Sequence, residues 1–126
     1  MDSTDDKSKK VLAANEAFYR AFNHKDAGLM ELVWAETEQV TCIHPGWNVL
    51  HGREAVLESW RAILSNPEQP RIVTGGATVS FFGDLAVVIS RELVAGSPLV
   101  ATNIFIQQGE SWRMLHHQSG PVYSGG

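Results

Sequence analysis

Residues 71–82 read RIVTGGATVSFF, a run of β-branched and aromatic residues with two adjacent glycines near its middle. β-Branched and aromatic side chains favour strands, whereas paired glycines inside a strand are typical of a bulge or a sharp bend. We therefore predict one long strand that bends at Gly75 and Gly76. Because a sheet that contains a bent strand must curve, this stretch decides which folds are open to the chain.

Three further strands are predicted after the bent one. They are the runs LAVVISRELV (85–94), LVATNIFIQQ (99–108) and SWRMLHHQS (111–119), which short glycine-containing turns separate. Long strands joined by short turns are typical of an antiparallel meander. The second half of the chain is therefore predicted to form one antiparallel sheet.

The first half of the chain has the period of helices. Apolar residues recur at helical spacing from Val11 to Phe22, Asp26 is a candidate N-cap of a second helix, and residues 53–66 predict a third. A short strand is predicted over 38–43, before Pro45. Three helices and a meander predict an α+β fold in which the helices cover one face of a curved sheet.

The uncovered face of that sheet would carry apolar side chains. Such a face is unfavourable in water, and pairing with a second copy of the chain would bury it. We therefore expect a homodimer formed through the sheet, with these candidate interface residues: Val87, Ile89, Ile104 and Ile106.

The composition predicts one globular domain without a basic surface. The 126 residues are 44% hydrophobic and 19% charged, and the net charge is −4. Nucleic-acid binding is not expected, because it requires clustered Lys and Arg side chains against the phosphates. A membrane partner is not expected either, since no apolar run approaches the roughly 20 residues of a membrane-spanning helix.

The polar start of the chain, MDSTDDKS, predicts a disordered tail over residues 1–8, and a single domain follows over residues 9–123. Cys42 is the only cysteine, so an internal disulfide is excluded. A lone cysteine suits a reducing compartment, and we expect a cytoplasmic location.

The stretch CIHPGW (42–47) places a titratable ring and a large aromatic side chain around a turn. His44 could exchange a proton near neutral pH, and Trp47 could supply an apolar wall for a ligand. Alternatively, His44 is bonded to the backbone of the turn and Trp47 fills the core. The residue pattern leaves both alternatives open.

Two adjacent histidines, His116 and His117, lie in the last predicted strand. Neighbours in a strand face opposite sides, so they cannot both bind one substrate or one metal. Alternation groups His116 with Trp112 and Met114, and His117 with Leu115 and Ser119. Neither group is cleanly polar, so the pattern does not show which one faces the interior.

Glu92 and Asn103 are polar residues within otherwise apolar strands, where burial without partners is costly. If they converge with a histidine of the last strand, Glu92 could act as a general base. Asn103 could then orient a carbonyl group or the carboxylate itself. Alternatively, Glu92 pairs with Arg91 or Arg113 on the outer surface.

Several familiar site motifs are absent from the sequence. It contains no H-E-x-x-H, no C-x-x-C, no G-x-S-x-G and no phosphate-binding glycine loop. We therefore expect no metal and no cofactor.

Four stretches together resemble a known family: FYRAFNHKDAGLMELVW (18–34), CIHPGW (42–47), HGREAVLESWRAIL (51–64) and ATNIFIQQGESWRMLHHQSGP (101–121). With them the chain resembles the SnoaL-like members of the nuclear-transport-factor-2-like superfamily, which includes the ketosteroid isomerases. The resemblance covers the chain from about residue 11 to residue 121.

The resemblance implies a cone-shaped, cystatin-like fold, in which a curved antiparallel sheet wraps around three N-terminal helices. It also implies a ligand-binding pocket at the open end and a homodimer through the outer face of the sheet. Members include isomerases, cyclases, dehydratases and hydrolases. The association domain of calcium/calmodulin-dependent kinase II, which is not catalytic, is also similar, and its likeness implies that His117 and Ser119 line the cavity.

The expected function is that of a small-molecule pocket protein. It would act as a cofactor-independent isomerase, cyclase or dehydratase by general acid/base catalysis on a small, partly apolar carbonyl compound. The alternative is a non-catalytic homodimeric association or ligand-sensing module. The candidate catalytic residues are His44, Glu92 and His117, and the candidate substrate-binding residues are Trp47, Asn103, His116 and Ser119.

One feature departs from the ketosteroid-isomerase pattern. That chemistry uses a carboxylate base together with a tyrosine and a protonated aspartate that hold the oxygen of the intermediate. The predicted meander carries no tyrosine, because Tyr19 belongs to the first helix and Tyr123 follows the last strand. The departure argues against steroid isomerisation.

Overall fold

The computed structural model describes residues 3–123, in which three helices pack against one six-stranded sheet. The elements are α1 (Thr4–Asn23), α2 (Ala27–Val33), β1 (Thr41–Ile43), β2 (Leu50–His51), α3 (Arg53–Leu64), β3 (Ile72–Phe82), β4 (Leu85–Val94), β5 (Ser97–Gln108) and β6 (Ser111–Pro121). The order across the sheet is β2-β1-β6-β5-β4-β3, and the sheet is curved but not closed. The predicted α+β cone is confirmed.

The bend in β3 lies at the paired glycines. Gly75 pairs with Arg91 and Thr78 pairs with Ile89, so β3 advances by three residues while β4 advances by two. The extra residue is a β-bulge, and Gly76 has a φ of 62°, in the left-handed region that glycine adopts without strain. The predicted bulge is confirmed.

β1 and β2 extend the sheet beyond the meander. β1 pairs with β6 in parallel, with Cys42 opposite His117, and β2 pairs with β1 in antiparallel fashion. The sequence predicts β1, but β2 has only two residues and is too short to show a period. The parallel pairing brings His44, which follows β1, to the same ring as His117, since both pack against Trp60.

Helix α1 begins earlier than the sequence predicts. Its N-cap is Ser3, whose hydroxyl accepts a hydrogen bond from the backbone N–H of Asp6 at 3.1 Å. Asp5 and Asp6 lie in the first turn, where the helix dipole favours acidic side chains. The structure therefore differs from the predicted disordered tail over residues 4–8. The first two residues of that tail lie outside the described range.

The core lies between the helices and the inner face of the sheet. Every layer contributes fully buried apolar side chains, among them Phe18 of α1, Met30 of α2, Val56 of α3, Phe105 of β5 and Met114 of β6. Their removal from water is the main favourable contribution to folding. None of the helices within residues 3–123 is long and apolar enough to cross a membrane.

We predict that the bulge tolerates a side chain at only one of its two glycines. Gly76→Val places a β-branched residue at positive φ and should lower the free energy of unfolding by about 1–2 kcal/mol. Gly75→Val is the matched control, because Gly75 has no positive φ and open space surrounds the position of a Cβ atom. Urea unfolding of both variants measures the difference, and equal losses would contradict the role given to Gly76.

Candidate functional site

A group of polar side chains meets on the inner face of the sheet, where the surrounding core is apolar. Each is at most 5% exposed, and each is hydrogen-bonded to another member. We call this group the interior polar cluster, and its members are Asn15, Tyr19, Ser90, Glu92, Asn103, His117 and Ser119.

Glu92 is the acidic member of the cluster. One carboxylate oxygen accepts a hydrogen bond from the Tyr19 hydroxyl at 2.6 Å, and the other accepts one from Ser119 Oγ at 2.5 Å. Both oxygens therefore act as hydrogen-bond acceptors, over the short distances typical of bonds between hydroxyl groups and carboxylates. The alternative position on the outer surface is not observed, since Glu92 is buried and Arg113 donates to the carbonyl of Leu32 instead.

Tyr19 connects Glu92 to the amide side chains of the cluster. Its hydroxyl donates to Glu92 and accepts from Asn103 Nδ2 at 3.1 Å. Asn103 Nδ2 also donates to Asn15 Oδ1 at 2.8 Å, and Asn15 Nδ2 donates to Ser90 Oγ at 3.2 Å. Burial and the negative charge of Glu92 raise the pKa of Tyr19 above its ordinary value, so the phenol keeps its proton.

His117 is held by the same asparagine. Its Nδ1 lies 2.6 Å from Asn103 Oδ1, which must accept because Asn103 Nδ2 already donates twice. The proton of the ring is therefore on Nδ1, and Nε2 carries a lone pair. Burial, together with the nearby His44 and His116, lowers the pKa of His117 to about 3, so the ring is neutral.

A bulge in β6 explains why alternation did not predict which residues of this strand face inward. Ile104 pairs with His116 and Phe105 pairs with Met114, so Leu115 is an extra residue. The bulge shifts the alternation of inward and outward side chains by one residue. The buried residues of β6 are therefore Trp112 and Met114 before the bulge and His117 and Ser119 after it. Each of the two alternating groups defined from the sequence therefore has some members that face inward and some that do not.

His44 is buried between aromatic rings rather than joined to the cluster. Its ring centroid lies 4.7 Å from that of Trp47 and 4.6 Å from that of Trp60, both edge to face. Nε2 lies 2.9 Å from Ser59 Oγ, which itself donates to the carbonyl of Val56. His44 is thus the donor in the bond to Ser59, and burial lowers its pKa to about 4. Trp47 is 49% exposed.

His116 lies apart from the interior polar cluster. It is half-buried, and its Nδ1 lies 2.7 Å from Thr41 Oγ1 of the neighbouring strand β1. Burial lowers its pKa, although a hydrogen bond with the backbone of Thr41 opposes that shift. The structure therefore brings together Glu92, Asn103 and His117 with Ser119, and leaves His116 outside.

A cavity of about 340 Å³ adjoins the cluster. Three cluster members line it, namely Glu92, His117 and Ser119, and most of the remaining wall is apolar. The wall residues are Pro45, Gln69, Ile72, Val94, Ser97 and Leu99. Pro45 belongs to the CIHPGW stretch, whereas His44 and Trp47 are not among the described residues that form the wall. An apolar cavity with a few convergent polar groups is the usual form of a small-molecule site.

Across residues 3–123, no three His, Cys, Asp or Glu side chains converge in an arrangement that could hold a metal ion. Glu92 and Ser119 are hydrogen-bonded to each other, and His117 is hydrogen-bonded to Asn103.

Sequence reasoning missed three members of the cluster: Asn15, Tyr19 and Ser90. A signal was present, because Asn15 and Tyr19 lie four residues apart on the stripe of α1 that also carries the buried Val11 and Phe18. A polar residue on such a stripe indicates a buried hydrogen bond. Tyr19 supplies from the helix the phenol that the meander lacks.

The chain has the form of an α+β cone domain. A curved sheet wraps around helices, and a buried polar cluster lies at the wall of a cavity. Within this class, the chain belongs to the SnoaL-like domain family, whose model matches residues 11–124. The predicted resemblance to SnoaL-like proteins of the nuclear-transport-factor-2-like superfamily is confirmed.

Two solved structures are similar over most of the chain. One is a candidate dehydratase of the NTF2-like family from Streptomyces avermitilis, with 32% identity, a TM-score of 0.89, and coverage of 97% of this chain and 100% of that one. The other is a candidate calcium/calmodulin-dependent protein kinase type II association domain from Thiobacillus denitrificans, with 30% identity, a TM-score of 0.81, and coverage of 89% and 94%.

A curated relative is longer than this chain. F-box protein SKIP8 of Arabidopsis thaliana is 23% identical over 114 residues, which are 89% of this chain and 49% of that protein. The chain therefore spans about half the length of this relative.

We predict that the two buried neutral histidines make stability depend on pH. The pKa values of His44 and His117 are about 4 and about 3 in the folded chain, below the ordinary value of 6.5. Below about pH 6.5 the unfolded chain binds protons that the folded chain does not, so stability falls as pH decreases toward these values. Each histidine contributes up to about 1.4 kcal/mol per pH unit in that window.

Urea unfolding between about pH 7 and about pH 4.5 measures this dependence. His117→Asn should make the fall of the unfolding free energy with decreasing pH less steep. His24→Asn, which changes an exposed histidine, is the control and should leave the slope as it is. The same slope in wild type and His117→Asn would contradict the assignment of a neutral buried ring.

Proposed function

We propose that the protein binds a small, partly apolar carbonyl compound in the interior cavity and transfers a proton on it without a cofactor. The observation that supports this proposal is the buried Glu92 carboxylate, which lines an apolar cavity and is held by hydrogen bonds at both oxygens. A carboxylate fixed in this way can remove a proton from carbon next to a carbonyl group. Isomerisation, cyclisation and dehydration can each include this step.

The other cluster residues have distinct roles in the proposal. Ser119 and Tyr19 are positioning residues, because each fixes one oxygen of Glu92. Asn103 holds both Tyr19 and His117, so that the neutral His117 ring presents a fixed tautomer beside the cavity. A hydrogen-bonded arrangement of this kind needs little reorganisation when a substrate binds.

The residues of the CIHPGW stretch act less directly in this proposal. Pro45 lines the cavity, and the His44 ring packs between Trp47 and Trp60. We therefore assign His44 and Trp47 the role of holding the loop at the cavity wall. His116 has no role in proton transfer, because it bonds to Thr41 away from the cluster.

The likeness to the protein from Streptomyces avermitilis supports this class of reaction. That protein is described as a candidate dehydratase and is 32% identical over nearly the whole chain. Loss of water from a hydroxycarbonyl compound can begin with removal of the proton next to the carbonyl group. The proposed role of Glu92 therefore fits dehydration as well as isomerisation.

We predict that the protein accelerates exchange of the protons next to the carbonyl group of cyclohexanone in D₂O. Glu92→Gln keeps the shape of the side chain but removes the base, so exchange should be at least about 100-fold slower. Proton NMR of the ketone measures the rate, and circular dichroism checks that the variant is folded. His116→Asn is the control and should exchange like wild type. Equal rates for wild type and Glu92→Gln would sink the proposal of a catalytic base.

The second candidate function is a homodimeric association or ligand-sensing module. It is favoured by the outer face of the sheet, where Ile89, Leu93 and Val100 are each at least 40% exposed. A depression of about 590 Å³ includes Leu93 and Val100 in its wall, together with Arg91. The likeness to the Thiobacillus denitrificans protein, described as a candidate association domain, supports this alternative.

We predict a dimer at micromolar concentration in both cases, because the apolar outer face is otherwise in contact with water. Ile89→Glu should shift the equilibrium toward the monomer by placing a charge on that face. Leu32→Glu is the control, since Leu32 is 63% exposed but lies on α2. Light scattering after size-exclusion chromatography gives the mass, and a monomeric wild type would rule out the interface.

A further inference from the structure

The charge of the interior cavity is not balanced within the described chain. Across residues 3–123, neither Lys nor Arg forms an ion pair with Glu92, and both of its hydrogen-bond donors are hydroxyl groups. The carboxylate is 4% exposed. A buried anion without a counter-ion is costly, even when hydrogen bonds reduce the cost.

The titratable groups around Glu92 do not supply the missing charge. Tyr19 of α1 keeps its proton and is neutral. His117 of β6 is neutral as well, since burial lowers its pKa to about 3. Arg91, which precedes Glu92 in β4, is exposed and lines the outer depression of about 590 Å³, whose wall also includes Glu92, but it forms no ion pair with that carboxylate among the described residues. The cavity therefore keeps a negative potential at the wall formed by Glu92 and Ser119.

A cationic side chain lies near the cavity. Lys25, in the turn after α1, donates from Nζ to the carbonyl of Gln69 at 3.2 Å, and Gln69 lines the cavity. That hydrogen bond directs the ammonium group to the backbone of the cavity wall rather than to Glu92. Lys25 reduces the negative potential of the cavity but does not neutralise the carboxylate.

We infer that this cavity also binds a small organic cation, with an ammonium group that pairs with Glu92 and an apolar body that contacts Ile72, Val94 and Leu99. The apolar wall fits a hydrocarbon body, and the carboxylate supplies a charged acceptor at one place in it. A cationic ligand also removes the cost of the unpaired charge, which a neutral or anionic ligand of the same shape cannot do. Charge, rather than shape alone, then selects the ligand.

This inference rests on the binding part of the proposed function and adds a second class of ligand, which binds in the same cavity and is not a substrate. An ammonium group paired with Glu92 occupies the carboxylate that would act as the base. A bound cation should therefore inhibit the ketone exchange described above. The two ideas can consequently be separated by experiment.

The test compares three cyclohexyl compounds that differ mainly in charge: cyclohexylammonium, cyclohexanol and cyclohexanecarboxylate. Isothermal titration calorimetry with the full chain measures their dissociation constants at one ionic strength. We expect cyclohexylammonium to bind at least about tenfold more tightly than cyclohexanol, because the ammonium group adds the attraction of opposite charges to its hydrogen bond with the carboxylate, whereas the hydroxyl group is neutral. Cyclohexanecarboxylate should bind most weakly.

Three variants test whether the preference for the cation arises in the cavity. Glu92→Gln should remove the preference for the cation, whereas His116→Asn, outside the cluster, should keep it. Lys25→Gln removes the cation near the wall and should leave the affinity for cyclohexylammonium unchanged or raise it. A clear loss of affinity in Lys25→Gln would contradict the electrostatic argument.

The comparison of ligands in the wild type does not depend on whether a variant folds. Equal binding of cyclohexylammonium and cyclohexanol would overturn the inference but leave the cavity as a small-molecule site. If none of the three compounds binds, the inference is wrong, and the ketone exchange then decides separately whether the proposed function stands. Tighter binding of the cation in the wild type, lost in Glu92→Gln, supports the inference.

Discussion

The hydrogen bond between Tyr19 and Glu92 is the interaction on which the interior of this protein depends. The two residues are 73 positions apart in the sequence, and their contact ties helix α1 to strand β4 at the inner face of the sheet. The carboxylate could not be buried there without such donors, because an isolated charge in an apolar core is strongly unfavourable. Asn103 then links this bond to His117, so helix, sheet and cavity wall share one network.

Much of the fold could be predicted from the sequence, because the relevant signals are local. The glycines at 75 and 76 predicted the bulge that bends β3, and the structure has it there. Helical periodicity and short turns predicted the three helices and the four-stranded meander. The polar residues Glu92 and Asn103 also indicated a buried site, since their presence in apolar strands requires partners.

The rest of the site depends on contacts between distant residues, which no local pattern encodes. Tyr19 was assigned only to a helix, because nothing in its neighbourhood shows that α1 crosses the sheet beside Glu92. The sequence did not show which side chains of β6 face the interior, because no glycine or proline marks the bulge at Leu115. The start of α1 was missed for another reason. Residues 4–8 have no apolar side chains to bury, and the N-cap and the acidic residues of the first turn stabilise their helical conformation instead.

The bulge at Leu115 divides β6 into two segments. The positions whose side chains face the core differ between the two segments. Before the bulge, Trp112 and Met114 point to the core, and after it His117 and Ser119 do so, although regular alternation would have turned the second pair outward. The composition of the cavity wall thus depends on the bulge as well as on the identities of the residues. If β6 kept all its residues but lost the bulge, His116 and Gln118 would face inward in place of His117 and Ser119 without any substitution. In this family, gain or loss of a bulge in the last strand is therefore a route by which the same side chains could yield a different site.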